Sequence, residues 1–326
     1  MFKPWPSMSR WISRLIMGVG FAWIAILIVQ EASTIREQFL VIDWFWLASA
    51  FVTGAIYLLL SAIAFGILLR LNEQRQFGLI YVARLIFAGQ ILRHLPGRLW
   101  GVVYLLNETR QEVSSAGMLR ANVVFMALTL VLHMLVSLTL SLAFYAGLFK
   151  ALLCALLIFL GIVLALRRDG IGTCLSFVAR WLPTQWLPDK LSESVENLQE
   201  TRPMAWAEAS KIVLILMTMG GVHLLNWHTL VWSFPELAHI NVWALCAVYS
   251  IAWISGYLSI ITPSGLGVRE AVFMMLGSNV MELSSLAFLS VFIRLWLITL
   301  ELILFLLFFF QKPKPEPSSA LDYIIG

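Results

Sequence analysis

The sequence predicts an all-α polytopic membrane bundle that carries two broken, re-entrant helical segments and suggests an inverted repeat. Three observations lead there. Hydrophobic residues make up 60% of the 326-residue chain, charged residues only 12%, and mean hydropathy is +0.88. Soluble domains carry about 25% charged residues. Several apolar runs approach the roughly 20 residues that span a bilayer as a helix. Two of these runs are interrupted by Pro and Gly with Arg alongside, at Ile91–Gly101 and Ile261–Glu270. The apolar runs are continuous rather than alternating, which excludes a transmembrane β-barrel.

Charge and cysteine usage narrow the class further. The net charge of +4 fits Lys/Arg-biased cytoplasmic loops and gives no sign of nucleic-acid binding. Cys154, Cys174 and Cys246 have neither metal nor disulfide spacing. The 14 Trp suit anchoring at the membrane–water interface. No P-loop, Gly-rich nucleotide fingerprint or Ser-His-Asp signature is present, so no ATP-driven step and no cofactor are expected.

Taken in order, Lys3, Arg10 and Arg14 precede an apolar run from Leu15 to Val29. No small-x-small cleavage site follows it, so it reads as an uncleaved first span with its N-terminus inside. Trp44 to Leu69 is the second span. The region 77–110 is apolar but contains Arg84, Arg93, His94 and Arg98, which a lipid-facing span does not tolerate centrally. It reads as a helix entering the membrane, a break at Pro96-Gly97, and a helix leaving on the same cytoplasmic side. Leu119 to Leu166 is two spans, turning at Tyr145–Lys150. The basic loop 167–211 is expected inside and is too short for an independent enzymatic domain. Ile212 to Trp232 is a fifth span, and Val242 to Ile260 a sixth that ends inside. Leu283 to Phe310 is the last and must also end inside, so Pro263 to Met281 has to reach the outer side as a short or broken crossing. Residues 1–311 thus form one integral membrane domain, with re-entrant elements near 77–110 and 261–281, and 312–326 a short cytoplasmic tail. The expected location is a bacterial cytoplasmic membrane with both termini inside.

The two breaks carry the functional expectation. Paired interrupted segments in corresponding halves are a pointer to a transporter site near the bilayer midplane. A break frees helix N-terminal N–H groups that bind anions, and Gly lets backbone approach a ligand. The candidate binding residues are Arg93, His94, Pro96, Gly97 and Arg98 at the first break, and Pro263, Ser264, Gly265, Gly267, Arg269 and Glu270 at the second. Arg supplies a permanently charged planar fork for phosphate. The competing reading makes these Arg residues snorkelling anchors at the interface. Beside Arg269, Glu270 gains nothing from such a role. Arg294 and Glu301 lie seven residues apart on one face of the last span and must face protein or water. They join the candidate set, with Arg294 pairing Glu270 as one option and a purely structural inter-helix pair as the other. His223 and His228 are five apart, not the i,i+4 spacing of a metal pair, and read with Asn226 as interfacial hydrogen-bonding groups. His133, mid-span, is expected to bond another helix or a cavity water. No metal and no catalytic residue is assigned.

Thr262–Glu270, reading TPSGLGVRE, resembles the P-G-G-L-G-x-R-E signature of the transmembrane region of the lysylphosphatidylglycerol synthetase/flippase family. His94-Leu-Pro-Gly-Arg98 with Gly101 resembles that family's N-x-x-P-G-R-x-G element. Ser264 replaces a usual Gly, and His94 stands where Asn is frequent. The likeness covers most of the chain, and the second motif is the more specific. The aminoacylating members carry a long soluble transferase domain that does not follow here, so the expectation is the membrane half alone. The resemblance implies translocation of a phosphate-bearing lipid: an aminoacylated or anionic phospholipid, or a polyprenyl-phosphate-linked sugar. Two alternatives remain at this stage. One is a non-catalytic subunit presenting lipid to a glycosyltransferase or synthetase. The other is a membrane enzyme using Glu270 or His94 as a base, for which the sequence shows no nucleophile. The expected partners are a membrane lipid, with a transferase or a second copy of the chain as the protein partner.

Overall fold

The computed structural model describes residues 41–92, 100–109, 112–167, 204–259, 265 and 267–311. The expected first span at Leu15–Val29, most of the basic loop, and the C-terminal tail lie outside them. The described residues form a helical membrane bundle of nine α-helices with no strand. Four helices are long and apolar enough to cross a membrane: α1 (Trp44–Glu73), α4 (Ser115–Ala146), α6 (Trp206–Trp232) and α9 (Leu283–Phe309). Between them stand α2 (Leu79–Leu92), α3 (Trp100–Glu108), α5 (Leu148–Arg167), α7 (Val242–Leu258) and α8 (Val268–Gly277).

Local chemistry sets where the helices start. Asp43 caps α1, its Oδ1 accepting from Phe45 N at 3.0 Å and Trp46 N at 3.3 Å. Ser114 caps α4 by accepting from Gly117 N at 2.9 Å, and its own hydroxyl donates to Glu73 at the end of α1. Asn241 caps α7 through Trp243 N and Ala244 N. Gly147, at φ 92°, turns the chain from α4 into α5, inside the expected Tyr145–Lys150 turn.

Side-chain contacts give the direction of every crossing. Asp43 N donates to Ser233 O, Trp46 meets Trp232, and Tyr57 meets His223, so α1 and α6 run antiparallel. Glu73 meets Ser114 while Phe65 meets Phe125, so α4 returns along α1 from the Glu73 end. Phe234 packs on Phe288 and Phe292, which puts the start of α9 at the Ser233 end. Phe87 meets Phe308 near the other end of α9. Exposed Trp44, Phe45, Trp232 and Trp243 ring the Ser233 end, as aromatic residues do at a membrane interface.

The remaining helices form two hairpins. Arg84 at the start of α2 pairs with Glu108 at the end of α3 at 3.2 Å, and Gly89 lies against Gly101 and Leu105. Both ends of the α2/α3 hairpin therefore lie at the Glu73 end. In the second hairpin, Gly256 of α7 meets Gly265, Tyr249 meets Phe273, and Gly277 closes α8 against Leu286 at the start of α9. Both ends of α7/α8 lie at the Ser233 end. This corrects the expected sixth span, which was to run from Val242 through to the opposite side. α7 has only 17 residues, about 25 Å of helix, before the chain folds back on itself. No separate crossing over Pro263–Met281 is needed to bring α9 to its starting side. A smaller correction is that Lys211 belongs to α6 rather than to the preceding loop.

The halves correspond: α1 to α6, α2 to α7, α3 to α8, and α4 to α9. α9 packs on α2 as α4 packs on α7, α1 meets α9 as α6 meets α4, and each hairpin packs within itself and on the long helix that follows it. Equivalent helices run in opposite directions, so the pseudo-two-fold axis lies across the bundle, as in inverted-topology repeats. α5 stands outside the pattern, against α4 and α6, with Leu152, Leu153, Leu156 and Leu157 exposed.

Polar and small residues join the helices where hydrocarbon on both sides supplies no hydrophobic drive. Asn226 on α6 donates to Ala50 O at 2.8 Å and to Thr53 Oγ1 at 2.9 Å on α1. At Gly54 an added Cβ would stand 2.6 Å from the Trp296 ring, so that glycine seats the indole of α9 against α1.

Candidate functional site

The helices of the two hairpins and the long helices line a central cavity of about 230 Å³, to which every described helix except α5 contributes. The two hairpins approach it from opposite ends of the bundle. Its wall includes Arg269 of α8 and Glu301 of α9.

The second break builds one side of this site. α7 ends at Leu258 and α8 begins at Val268. Gly265, at φ 70°, presses against Gly256, where a Cβ would lie 2.6 Å from the Gly256 Cα and carbonyl oxygen. Gly267, at φ 83°, precedes the first turn of α8. Glu270 reaches back to that turn, its Oε2 accepting from Gly267 N at 2.8 Å. Its Oε1 accepts from Arg294 Nη1 at 2.7 Å. Glu270 is 4% exposed, so this is a buried charge-assisted pair between α8 and α9. The option that Arg294 meets Glu270 is the arrangement found. A carboxylate held between a guanidinium and a backbone N–H is a brace for the hairpin tip, and this weighs against Glu270 as a catalytic base.

Arg269 projects the other way. Its Nη1 stands 3.4 Å from the Tyr249 hydroxyl, and its Cβ is 3.0 Å from where a Gly256 Cβ would be. Adjacent residues on a helix diverge by about 100°, which is how Glu270 can face α9 while Arg269 faces the cavity. Glu301 is 3% exposed, one of the most deeply buried charges among the described residues. Arg294 and Glu301 therefore do face the protein interior. Arg93, His94, Pro96, Gly97, Arg98, Pro263 and Ser264 lie outside the described residues.

The cavity wall also carries a cluster that the sequence reading did not assemble. His133 stacks on Trp253 at 4.0 Å and meets His223 edge-on at 4.9 Å. Its Nε2 stands 3.5 Å from the Tyr57 hydroxyl of α1, the outer limit of a hydrogen bond. The expected inter-helix partner of His133 is thus Tyr57. His223 is corrected from an interfacial group to a cavity residue, whereas His228 lies against Trp232 and Trp243 near the Ser233 end. Among the described residues no three His, Cys, Asp or Glu converge to hold a metal. Gln90 and Trp296 also line the cavity. Gln90 is an uncharged polar residue inside an apolar run, a signal available in the sequence. The aromatic residues gave none, since Trp and Tyr are common throughout this chain.

Gly265→Ala is expected to destabilise the α7/α8 hairpin by at least about 1–3 kcal/mol, from the left-handed backbone angle alone. The Cβ contact with Gly256 backbone adds to this. Gly221→Ala, with nothing within 4 Å of its added Cβ, is the control expected to leave the melting temperature in place. Equal melting temperatures for the two variants would remove the proposed backbone contact.

Comparison of the chain with protein-family models, curated proteins and solved structures found no match.

Proposed function

We propose that the chain moves a phosphate-bearing lipid across a membrane, with the head group in the central cavity and the acyl or prenyl tails in the bilayer. The carrying observation is Arg269 on the wall of an interior cavity between two hairpins that enter from opposite ends. A cavity bounded by two inverted halves supports alternating exposure to the two sides, by rocking one half against the other. Arg269 supplies a permanent planar cation for the phosphate. Arg294 is engaged by Glu270, whereas Arg269 lines the cavity beside the Tyr249 hydroxyl. The function is the one implied by the resemblance of TPSGLGVRE to the lysylphosphatidylglycerol synthetase/flippase membrane region. A bacterial cytoplasmic membrane, with the Glu73 end inside on its Lys/Arg bias, completes the reading.

The test uses purified full-length protein in vesicles with a head-group-labelled phosphate lipid, read by the fraction of label reached by an impermeant quencher. Protein-containing vesicles are expected to equilibrate the label faster than empty ones. Equal rates for phosphatidic acid, phosphatidylglycerol and a polyprenyl-phosphate lipid alike would overturn the proposal. In intact cells, a cysteine placed at exposed Glu236 is expected to react with an impermeant reagent, and one at exposed Glu112 to be protected. The reverse pattern would invert the assigned sidedness.

A further inference from the structure

Arg269 reaches the cavity along a track that α7 provides. Gly256 and Tyr249 lie seven residues apart, two turns of α7 and on one face, and both line the cavity. A Cβ added at Gly256 would stand 3.0 Å from the Arg269 Cβ and 3.5 Å from its Nε. The Arg269 side chain therefore passes over the bare backbone of Gly256. It ends with Nη1 3.4 Å from the Tyr249 hydroxyl oxygen, to which it donates.

The tyrosine is itself held. Its ring meets Trp227 of α6 at 4.8 Å and Phe273 of α8 at 5.6 Å, and all three residues are buried. Phe273 follows Arg269 by four residues, so one face of α8 presents both the guanidinium and the ring that steadies its partner.

This partner differs in kind from the one given to Arg294. Glu270 meets Arg294 charge to charge, whereas a phenol hydroxyl orients a guanidinium without cancelling its charge. Arg carries its five N–H groups in one plane, so an edge held by Tyr249 keeps the plane aimed while phosphate meets another edge. At 3.4 Å the contact is longer than the roughly 2.7–3.2 Å of ordinary N–H···O bonds, so it guides the guanidinium rather than committing it. Fixing a long side chain costs rotamer entropy. A fork already held in place when the lipid arrives does not lose that entropy on binding.

We infer that Tyr249 is a positioning residue for phosphate binding. Its hydroxyl, fixed by the packing of its ring between Trp227 and Phe273, holds the Arg269 guanidinium in the orientation that receives the lipid phosphate, and Gly256 gives the side chain room to reach it. This rests on the phosphate-lipid reading above and adds the residues that prepare its cation.

The experiment measures binding of short-chain phosphatidylglycerol to the full-length protein in detergent, titrated far enough to saturate the weakest binder. It compares wild type, Tyr249→Phe, Arg269→Ala and the double variant, with a melting curve for each. Tyr249→Phe keeps the ring between its neighbours, so the melting temperature is expected to hold while affinity falls about 3- to 10-fold. In the Arg269→Ala background the same replacement is expected to change affinity by less than about twofold, because a hydroxyl that acts through Arg269 has nothing left to hold. A tyrosine serving only the core would lower stability and affinity alike in both backgrounds. Gly256→Ala is a second variant, expected to weaken binding only while Arg269 is present, and it decides should Tyr249→Phe not fold. Wild-type affinity in folded Tyr249→Phe, or equal losses with and without Arg269, overturns the positioning role and leaves the phosphate reading standing. Absence of binding by the wild type removes the phosphate reading, and the positioning role with it.

Discussion

Arg269→Ala is expected to slow lipid movement by about 10- to 100-fold, the cost of losing one or two charge-assisted hydrogen bonds to phosphate. The fold is expected to survive. Alanine keeps the Cβ that packs beside Gly256, and the α8–α9 brace runs through Glu270 and Arg294, not through Arg269. The melting temperature should therefore move little while transport falls. Arg269→Lys keeps the charge but loses the planar fork, so it is expected to lie between alanine and wild type. The loss should extend to every phosphate lipid. Wild-type transport by a correctly folded Arg269→Ala protein would remove the basis for placing the phosphate at this residue.

Glu270→Ala is expected to have the largest effect on stability, about 3–5 kcal/mol, because it leaves the Arg294 guanidinium buried without its counter-charge. It also strips the first turn of α8 of the oxygen that accepts from Gly267 N. Glu270→Gln preserves shape and part of the hydrogen bonding but not the charge, so a smaller loss is expected. The discriminating variant is the double replacement Glu270→Ala with Arg294→Leu. Removing both charges takes away the unpaired cation, so the double variant should be more stable than Glu270→Ala alone, a coupling that a double-mutant cycle on melting temperature measures. Strict additivity would mean that the pair contributes nothing across α8 and α9. If Glu270 instead carried a proton during transport, Glu270→Gln would stop transport in a protein of near-normal stability and abolish its pH dependence. The bracing role requires the two losses to track one another.

The long spans follow from the sequence because each is decided by its own residues. Twenty or more apolar residues bounded by caps such as Asp43 and Ser114 have one low-energy form in a bilayer, a helix. The Pro- and Gly-bearing breaks are local as well, and helix does stop at Leu258, while the first break lies outside the described residues. Burial of Arg294 and Glu301 also followed from local chemistry, since a charge in mid-span has to face protein or water. What the sequence left open was direction. A run of 17 apolar residues before a break fits a span that ends inside and equally a hairpin that turns back. Only the approach of Gly256 to Gly265, and the return of Gly277 to Leu286, decides for the hairpin. The same holds for the cavity. Gln90, His133, His223 and Trp296 are separated by tens to hundreds of residues, and no spacing rule links them. They converge because helices from two inverted halves meet around one cavity. Division of labour between neighbours was equally illegible: Arg269 and Glu270 read as one pair in the sequence. The helical turn sends one to the cavity and the other to α9, because contacts between helices are set by packing and not by adjacency in the chain.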